Sequence, residues 1–334
     1  MLKNMRKLVL NAAVASLACT GAAQAEVLKE LNFGIISTES SQNLKAKWDP
    51  FLEAMSEQTG MKIKAFFAPD YAGIVQGMRF DKVDLAWYGN KSAMEAVDRA
   101  GGEVFMQTVA ADGAPGYWSL LIAHKDSPID SVEDMLNNAK DLTFGNGDPN
   151  STSGFLVPSY YVFAQNNVEP RNIFKRTLNA SHEVNALSVA NKQVDVATFN
   201  TEGLERLETT HPDKAQEIKI IWKSPLIPAD PIVWRANLPQ ATKQKIHAFF
   251  TEYGDKPEEL AVLHGLQWGK FRESDNDQLL PIRQLELFKT RSQVLADTTL
   301  SDNARKEKLA GIDADLAKLE ARMAELEKKV ASAQ

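Results

Sequence analysis

Three consecutive hydroxyls, Ser151, Thr152 and Ser153, stand in the loop Gly145-Asn146-Gly147-Asp148-Pro149-Asn150-Ser151-Thr152-Ser153-Gly154-Phe155. Before them Leu142-Thr143-Phe144 reads as a short buried strand, and after them the apolar stretch Phe155 to Phe163 carries a helix broken or started near Pro158. A loop that joins a strand to a helix N-terminus presents unpaired amide N–H groups, and with hydroxyls beside them it forms a neutral donor cluster suited to an oxyanion. A plain capping run is the alternative, although one cap needs one hydroxyl and not three. The loop is not a nucleotide P-loop, because no Lys follows its last Gly to grip outer phosphates. His182-Glu183-Val184-Asn185-Ala186 begins like the H-E-x-x-H zinc motif but carries Ala where the second His must stand. A hydrolytic reading would need Ser151 or Ser153 as nucleophile with His182 as its base. With five histidines and a single cysteine, Cys19, neither a metal cluster nor a thiol nucleophile is suggested, and no cofactor is expected.

The elements that must position this loop alternate strand and helix. Leu31 to Ile36 is a first strand, and Ser37-Thr38-Glu39-Ser40 is a capped entry into a helix running through Trp48 and Phe51 to about Gln58. Lys62 to Phe67 is a second strand, and Ala68-Pro69-Asp70-Tyr71 turns into a helix with Ile74, Met78 and Phe80 on one face. Val83 to Gly89 is a third strand and Asn90 to Ala100 a third helix. Short joins predict a parallel sheet with helices on both faces. In that architecture ligands sit beyond the carboxyl ends of the strands, where Ser37, Thr38, Asp70, Tyr71, Tyr88 and Asn90 fall.

A strand at Phe105 to Ala110 leads into the turn-rich Asp112 to Gly116, and Tyr117 to Ala123 is strongly strand-like, which marks a first crossing into a second lobe. There the alternation repeats, with a helix around Ser131 to Ala139, the hydroxyl loop and its strand, and a strand near Phe174 to Leu178. A helix from His182 to Ala190 and a strand from Val194 to Phe199 follow, the strand ending in Asn200-Thr201-Glu202. Ile218 to Trp222 returns, and Pro225 to Pro231, with Asp230 inside it, is the second crossing. Ile232 to Trp234 re-enters the first lobe, which helices near Thr242 to Tyr253 and Pro257 to Leu263 complete. The expected class is therefore α/β with two lobes, residues 26–112 with 225–298 and residues 113–224. Two crossings make a hinge, and the cleft between the lobes is the place for a small ligand.

Ahead of the first lobe, Lys3, Arg6 and Lys7, an apolar run from Leu8 to Ala18, and Ala23-Gln24-Ala25 form a secretory signal peptide over residues 1–25. Cys19 lies inside it, and Ser16-Leu17-Ala18 is a poor lipobox, so a cleaved leader is expected rather than a lipid anchor. The mature chain then has no thiol and no disulfide. The net charge of −6 includes the leader's positive charges, so the remainder is more acidic still, which argues against nucleic acid and anionic lipid as partners. No second apolar run approaches the ~20 residues that span a bilayer. From Ser301 onward Leu309, Ile312, Leu316, Leu319, Met323, Leu326 and Val330 alternate spacings of three and four, an a/d seam. It reads as a coiled-coil pairing with a second copy or an antiparallel fold-back, a helix packed on its own lobe being the alternative. Residues 299–334 are thus expected to form a dimerisation helix, and the chain a homodimer.

The loops in order, FGIISTES, FFAPDYAG, AWYGN, TVAADGAPGYWS, FGNGDPNSTSGF, NASHEVNA, VDVATFNTE and SPLIPADPIVW, resemble those of the phosphonate-binding periplasmic proteins of phosphonate ABC transporters, the PhnD type, over essentially the whole chain after the leader. The resemblance implies a two-lobed type II periplasmic binding protein, not an enzyme. It would close on an alkylphosphonate, commonly 2-aminoethylphosphonate, and deliver it to a membrane permease and its ATPase. It implies that Ser151, Thr152, Ser153, Tyr71 and His182 hold the phosphonate group. By the same resemblance Glu202 and Asp230 hold the ligand's ammonium, with Tyr117 as an aromatic wall; Tyr88, placed by its strand end, is a possible cleft residue.

Composition and spacing supply the lobes, the hinge and the anion-friendly loop, not the substrate. Taken singly, each residue also has a plain reading: His182 as a helix-start residue, Glu202 as an exposed loop acid, Asp230 before Pro231 as a turn pair, the tyrosines as lobe-surface aromatics. Another small oxyanion (phosphate, phosphite, a phosphate ester or a sulfonate) is the alternative ligand. A phosphonate hydrolase, or a structural, adhesin-like protein using its tail, are the alternative classes of function.

Overall fold

The structure, a computed structural model, describes residues 27–333; the expected signal peptide and Cys19 lie outside them. Along the chain the strands are β1 (Glu30–Ile35), β2 (Lys62–Phe67), β3 (Leu85–Trp87), β4 (Gly102–Gln107), β5 (Gly116–Tyr117), β6 (Ser119–His124) and β7 (Thr143–Asn146). They continue as β8 (Arg176–Asn179), β9 (Val196–Asn200), β10 (Ile218–Lys223), β11 (Ile227–Pro228), β12 (Pro231–Arg235) and β13 (Arg272–Glu273). One sheet has the order β13-β4-β12-β3-β1-β2, a second the order β10-β6-β9-β7-β8, and β5 pairs with β11 in a separate ribbon. The two large sheets define two lobes.

Within each sheet the strands fed by a helix run parallel: β1 with β2 and β3, and β7 with β8 and β9. The sheets are nonetheless mixed, where the alternation predicted all-parallel ones. β12 is antiparallel to β3 and β4, and β6 to β9 and β10. The reason is the crossings: β6 and β12 begin at the hinge, where the other strands of the two sheets, β13 apart, end, and so must run the opposite way; the short edge strand β13 is likewise antiparallel to β4.

The cleft-side loops are fixed by helix caps from both lobes. Ser40 accepts from Asn43 N at 3.2 Å, Asp70 from Gly73 N at 2.8 Å, and Ser151 from Gly154 N at 2.9 Å. Ser181 accepts from Val184 N at 3.3 Å and Asn200 from Gly203 N at 2.6 Å. Each such cap contributes about 1 kcal/mol. Together they turn five helix N-termini toward the space between the lobes. Behind them the first lobe is held by aromatic packing, with the Phe51 ring 5.4 to 6.3 Å from those of Phe33, Trp48, Phe249, Phe250, Tyr253 and Phe271. Phe144, Phe163 and Phe174 form the corresponding cluster of the second lobe at 4.6 to 6.0 Å.

Two aromatic expectations are corrected. Tyr88 is 0% exposed and its hydroxyl donates to the Ile74 carbonyl at 3.1 Å, so it belongs to the core of the first lobe and not to the cleft. Successive residues of a strand alternate faces, and it is the preceding Trp87 that turns to the cleft. Phe80 ends the helix Tyr71–Arg79 and is exposed, off the face that buries Ile74 and Met78.

The helix Leu280–Ala296, which no pattern in the sequence announced, touches both lobes. Arg283 makes two bonds to Asp98 of the first at 2.6 and 2.7 Å, while Gln293 donates to Glu169 of the second at 2.9 Å. The tail helix Asp302–Ala333 folds back along it, with Arg291 bonded to Asp313 at 2.8 Å and Leu316 buried. Arg322 clamps Asp277 with two bonds of 2.6 and 3.2 Å. The seam lies along this fold-back with Leu316 buried and Leu309, Ile312, Leu319, Met323 and Leu326 half-buried, so the fold-back is the one of the two expected pairings that is seen within the chain. Leu316→Ala should destabilise the tail helix by about 2 kcal/mol, read as faster amide exchange over residues 302–329 without change over the lobes.

Candidate functional site

The site is built where the crossings meet. Gly116 of β5 lies so close to β11 that a Cβ there would stand 1.9 Å from the Ile227 carbonyl oxygen, so only glycine fits. Beyond β11 the chain is pinned by side chains. Asn90 Nδ2 donates to Pro228 O at 2.7 Å, Gln107 Nε2 to Ala229 O at 3.0 Å, and Thr108 N to Asp230 O at 2.9 Å. Asp230, 5% exposed, thus has a fixed backbone. Its carboxylate accepts from the Tyr117 hydroxyl at 2.9 Å and from Trp87 Nε1 at 3.2 Å. Glu202, half-buried in the first turn of the helix Thr201–Thr210, is the second acid at this end.

At the opposite end stand the hydroxyls. The helical stretch Thr152–Asn166 opens in wide, π-type turns, and Ser151 caps it. Gly147 N donates to Gly154 O at 2.9 Å, closing the loop so tightly that a Cβ on Gly147 would lie 2.5 Å from that oxygen. Thr152 Oγ1 accepts from Lys91 N at 2.8 Å, and Ser153 Oγ from Asn200 Nδ2 at 3.1 Å. Ser151 Oγ lies 3.4 Å from His182 Nε2 and pairs with the Tyr71 hydroxyl, while Tyr71 N donates to Asp148 Oδ2 at 3.1 Å. Ser151, Thr152, Ser153, Tyr71 and His182 are all buried and are brought together, and so are the buried Tyr117 and Asp230 with the half-buried Glu202; Tyr88 is not brought to the site. Trp87, Asn200 and Asp148 were missed. Only their places at the ends of β3 and β9 and in the hydroxyl loop could have drawn attention to them.

Several of these bonds join the lobes, and others close the mouth. The Glu183 carboxylate accepts from Ser40 N at 2.9 Å and Asn43 Nδ2 at 2.7 Å, and its own N–H donates to Thr38 O at 3.2 Å. Arg206 Nε lies 2.9 Å from Glu39, and Arg206 Nη1 donates to Gln267 at 2.7 Å. The lobes are closed on each other.

The electrostatics divide the cleft. Burial, then the neighbouring Glu202 charge, holds the Asp230 carboxyl well above the usual range, against the bonds from Tyr117 and Trp87. Burial also raises Glu202, with Arg206 opposing. Burial pushes the Tyr71 and Tyr117 phenols up, so both stay protonated donors. Burial, with Arg206 adding to it, pushes His182 down to about 3, so its ring is neutral at physiological pH. One end is a set of neutral donors; the other holds two acids that resist ionising together.

An acid whose folded pKa is raised binds its proton more tightly in the native state, so its stabilisation is complete below the unfolded pKa of about 4 and is lost as pH rises through the folded value. Acids with lowered pKa, such as Glu259, which Lys256 holds at about 2, act oppositely but only below the ordinary range. His182, held down to about 3, acts the other way between that value and its unfolded pKa of about 6.5. The raised acids are therefore read as a difference: the melting temperature of the unliganded Asp230→Asn protein should fall less, or rise more, with pH above about 4 than that of the wild type, and a pH slope unchanged in the variant would refute the assignment. Glu183→Ala should loosen the mouth, giving a larger radius of gyration by small-angle scattering than the wild type.

The family model described as ABC transporter, phosphonate, periplasmic substrate-binding protein matches residues 33–279. The chain is 65% identical over 288 residues to the phosphonates-binding periplasmic protein of Escherichia coli strain K12, covering 86% of this chain and 85% of that one. The crystal structure of a binding protein component of an ABC phosphonate transporter from Pseudomonas aeruginosa matches with a TM-score of 0.89 at 70% identity, over 90% of this chain and 99% of that one. PhnD1 of Prochlorococcus marinus, in complex with methylphosphonate, shares the fold at 20% identity with a TM-score of 0.68, over 77% of this chain and 97% of that one. The fold is that of the type II periplasmic binding proteins, and the relatives are binding components rather than enzymes. On this evidence the chain belongs to the family of periplasmic phosphonate-binding proteins of ABC transporters.

Proposed function

We propose that this protein, exported by the leader over residues 1–25, binds aminoalkylphosphonates, 2-aminoethylphosphonate foremost, and carries them to a membrane permease and its ATPase. The observation that carries this reading is the opposition of two chemistries across one closed cleft. The accepting sides of the three hydroxyls are met by Gly154 N, Lys91 N and Asn200 Nδ2, which leaves their protons to donate. Donors without charge suit a phosphonate group, whose unprotonated oxygens accept hydrogen bonds. We assign that group to Ser151, Thr152, Ser153, Tyr71 and His182. Carboxylates are acceptors only when ionised, and an ammonium is their complement. We assign the ammonium to Glu202 and Asp230, with Tyr117 as the wall between the ends.

The two acids also orient the ligand, because a phosphonate placed beside them would face like charge. An ammonium between Glu202 and Asp230 would permit both to ionise, so binding of an aminophosphonate should release protons whereas binding of an alkylphosphonate should not.

The test is calorimetric titration with 2-aminoethylphosphonate, methylphosphonate, phosphate and taurine, on the wild type and on Glu202→Ala. A charge-assisted bond contributes ~1.5 to 3 kcal/mol, so the variant should lose about 10- to 100-fold in affinity for the aminophosphonate. Its affinity for methylphosphonate should stay within about three-fold of wild type. Tightest binding of phosphate or taurine, or equal losses for both phosphonates, would refute the assignment of the acids and the substrate with it.

A further inference from the structure

Three buried polar atoms without a hydrogen-bond partner, Thr38 Oγ1, His182 Nδ1 and Arg206 Nε, belong to residues that line one cavity of about 10 Å³. Arg206 Nε lies 2.9 Å from a Glu39 oxygen, yet in a direction that makes no hydrogen bond. The cavity is the size of one water, which needs two to four polar partners to be held. Its wall comes from both lobes. Thr38 follows β1 of the first lobe and is 4% exposed, whereas His182 and Arg206 belong to the second, His182 being 5% exposed. The bond from Glu183 N to Thr38 O, at 3.2 Å, holds Thr38 against the first turn of the helix that His182 begins.

We propose that this cavity is a site for one bound water joining Thr38 Oγ1 to His182 Nδ1, and that Thr38 is thereby a positioning residue that fixes the His182 proton on Nε2. Of the three unpartnered atoms Arg206 Nε can only donate, so the water's oxygen accepts from it and the two hydrogens go to His182 Nδ1 and Thr38 Oγ1. A neutral imidazole that accepts at one nitrogen carries its proton on the other. The other is Nε2, the nitrogen facing Ser151 at 3.4 Å. His182 then donates into the cleft with the hydroxyls. The opposite tautomer would turn a lone pair on the oxyanion. Its walls come from both lobes, which Glu183 and Arg206 already hold closed on each other, so the histidine is set before any ligand enters the cleft.

The affinity part of this inference rests on the phosphonate reading above, whereas the tautomer does not. Long-range nitrogen–proton NMR of the histidine rings in the ligand-free protein, with the His182 signals assigned by their loss in His182→Gln, separates protonated from unprotonated ring nitrogens. The wild type should show His182 protonated on Nε2. Thr38→Val, which keeps the side chain's shape and removes its hydroxyl, should give a mixture of tautomers and about ten-fold weaker binding of methylphosphonate. Thr38→Ser should restore both. A wild-type His182 protonated on Nδ1 would overturn the proposal, as would a Thr38→Val protein with unchanged tautomer and affinity. Should the wild type bind no phosphonate, the functional reading fails, and the ring signals still decide the water site.

Discussion

A carboxylate cannot be taken out of water without partners, and the placing of Asp230 obliges the rest of the molecule to supply them. Its backbone is part of a crossing between the lobes, fixed by Thr108, so the acid cannot swing to solvent. Two neutral donors, the Tyr117 hydroxyl and the Trp87 indole, reach it from the first crossing and from β3. Neither carries charge, and Glu202 adds a like one. The centre of the hinge is therefore an unbalanced site. Its negative charge is either suppressed by protonation or answered by a cation from outside.

The other end of the cleft solves the converse problem by different means. In the proposed mode of binding an anion is received there by hydroxyls and helix N-termini, which need no counter-charge and so nothing that would pair with the acids across the cleft. The uncharged state of His182 belongs to the same scheme: burial removes the proton that would otherwise make it a partner for Asp230 or Glu202. Separation of the two chemistries is maintained because, among the described residues proposed to hold the anionic end, there is no lysine or arginine. Arg206, whose charge acts on His182, Glu202 and Asp230, is turned to Glu39 and Gln267 at the mouth.

Much of this was legible in the residues. The hydroxyl run could be read because three donors after a strand exceed what a cap requires, and both crossings because turn-rich segments interrupt the alternation. The loops Ser37 to Ser40, Asp70-Tyr71 and Asn200 to Glu202 reach the cleft as their places at strand ends required. What was hidden depends on contacts between distant segments. Tyr88 was misplaced by one step of a strand, a distinction that spacing cannot make once both faces are buried. The heptad seam of the tail states that a partner helix exists but not in which chain, and the helix Leu280–Ala296 that receives it has a weakly segregated apolar face. The antiparallel course of β6 and β12 follows from where the chain enters each lobe, a property of the assembled hinge. Thr38 was placed at the cleft by its strand end but its cavity was not, and Arg206 gave no signal at all, since their setting is formed from two lobes.

The helix Leu280–Ala296 gives the molecule a third link between its halves, behind the two strand crossings. Two ribbons alone would allow the lobes to twist as well as to open. A rod lying against both, tied to Asp98 at one end and Glu169 toward the other, adds a constraint against torsion that the ribbons lack. A change in the angle between the lobes has to be absorbed at those two ties, so the back of the molecule, and not only its cleft, carries a record of how far the lobes stand apart.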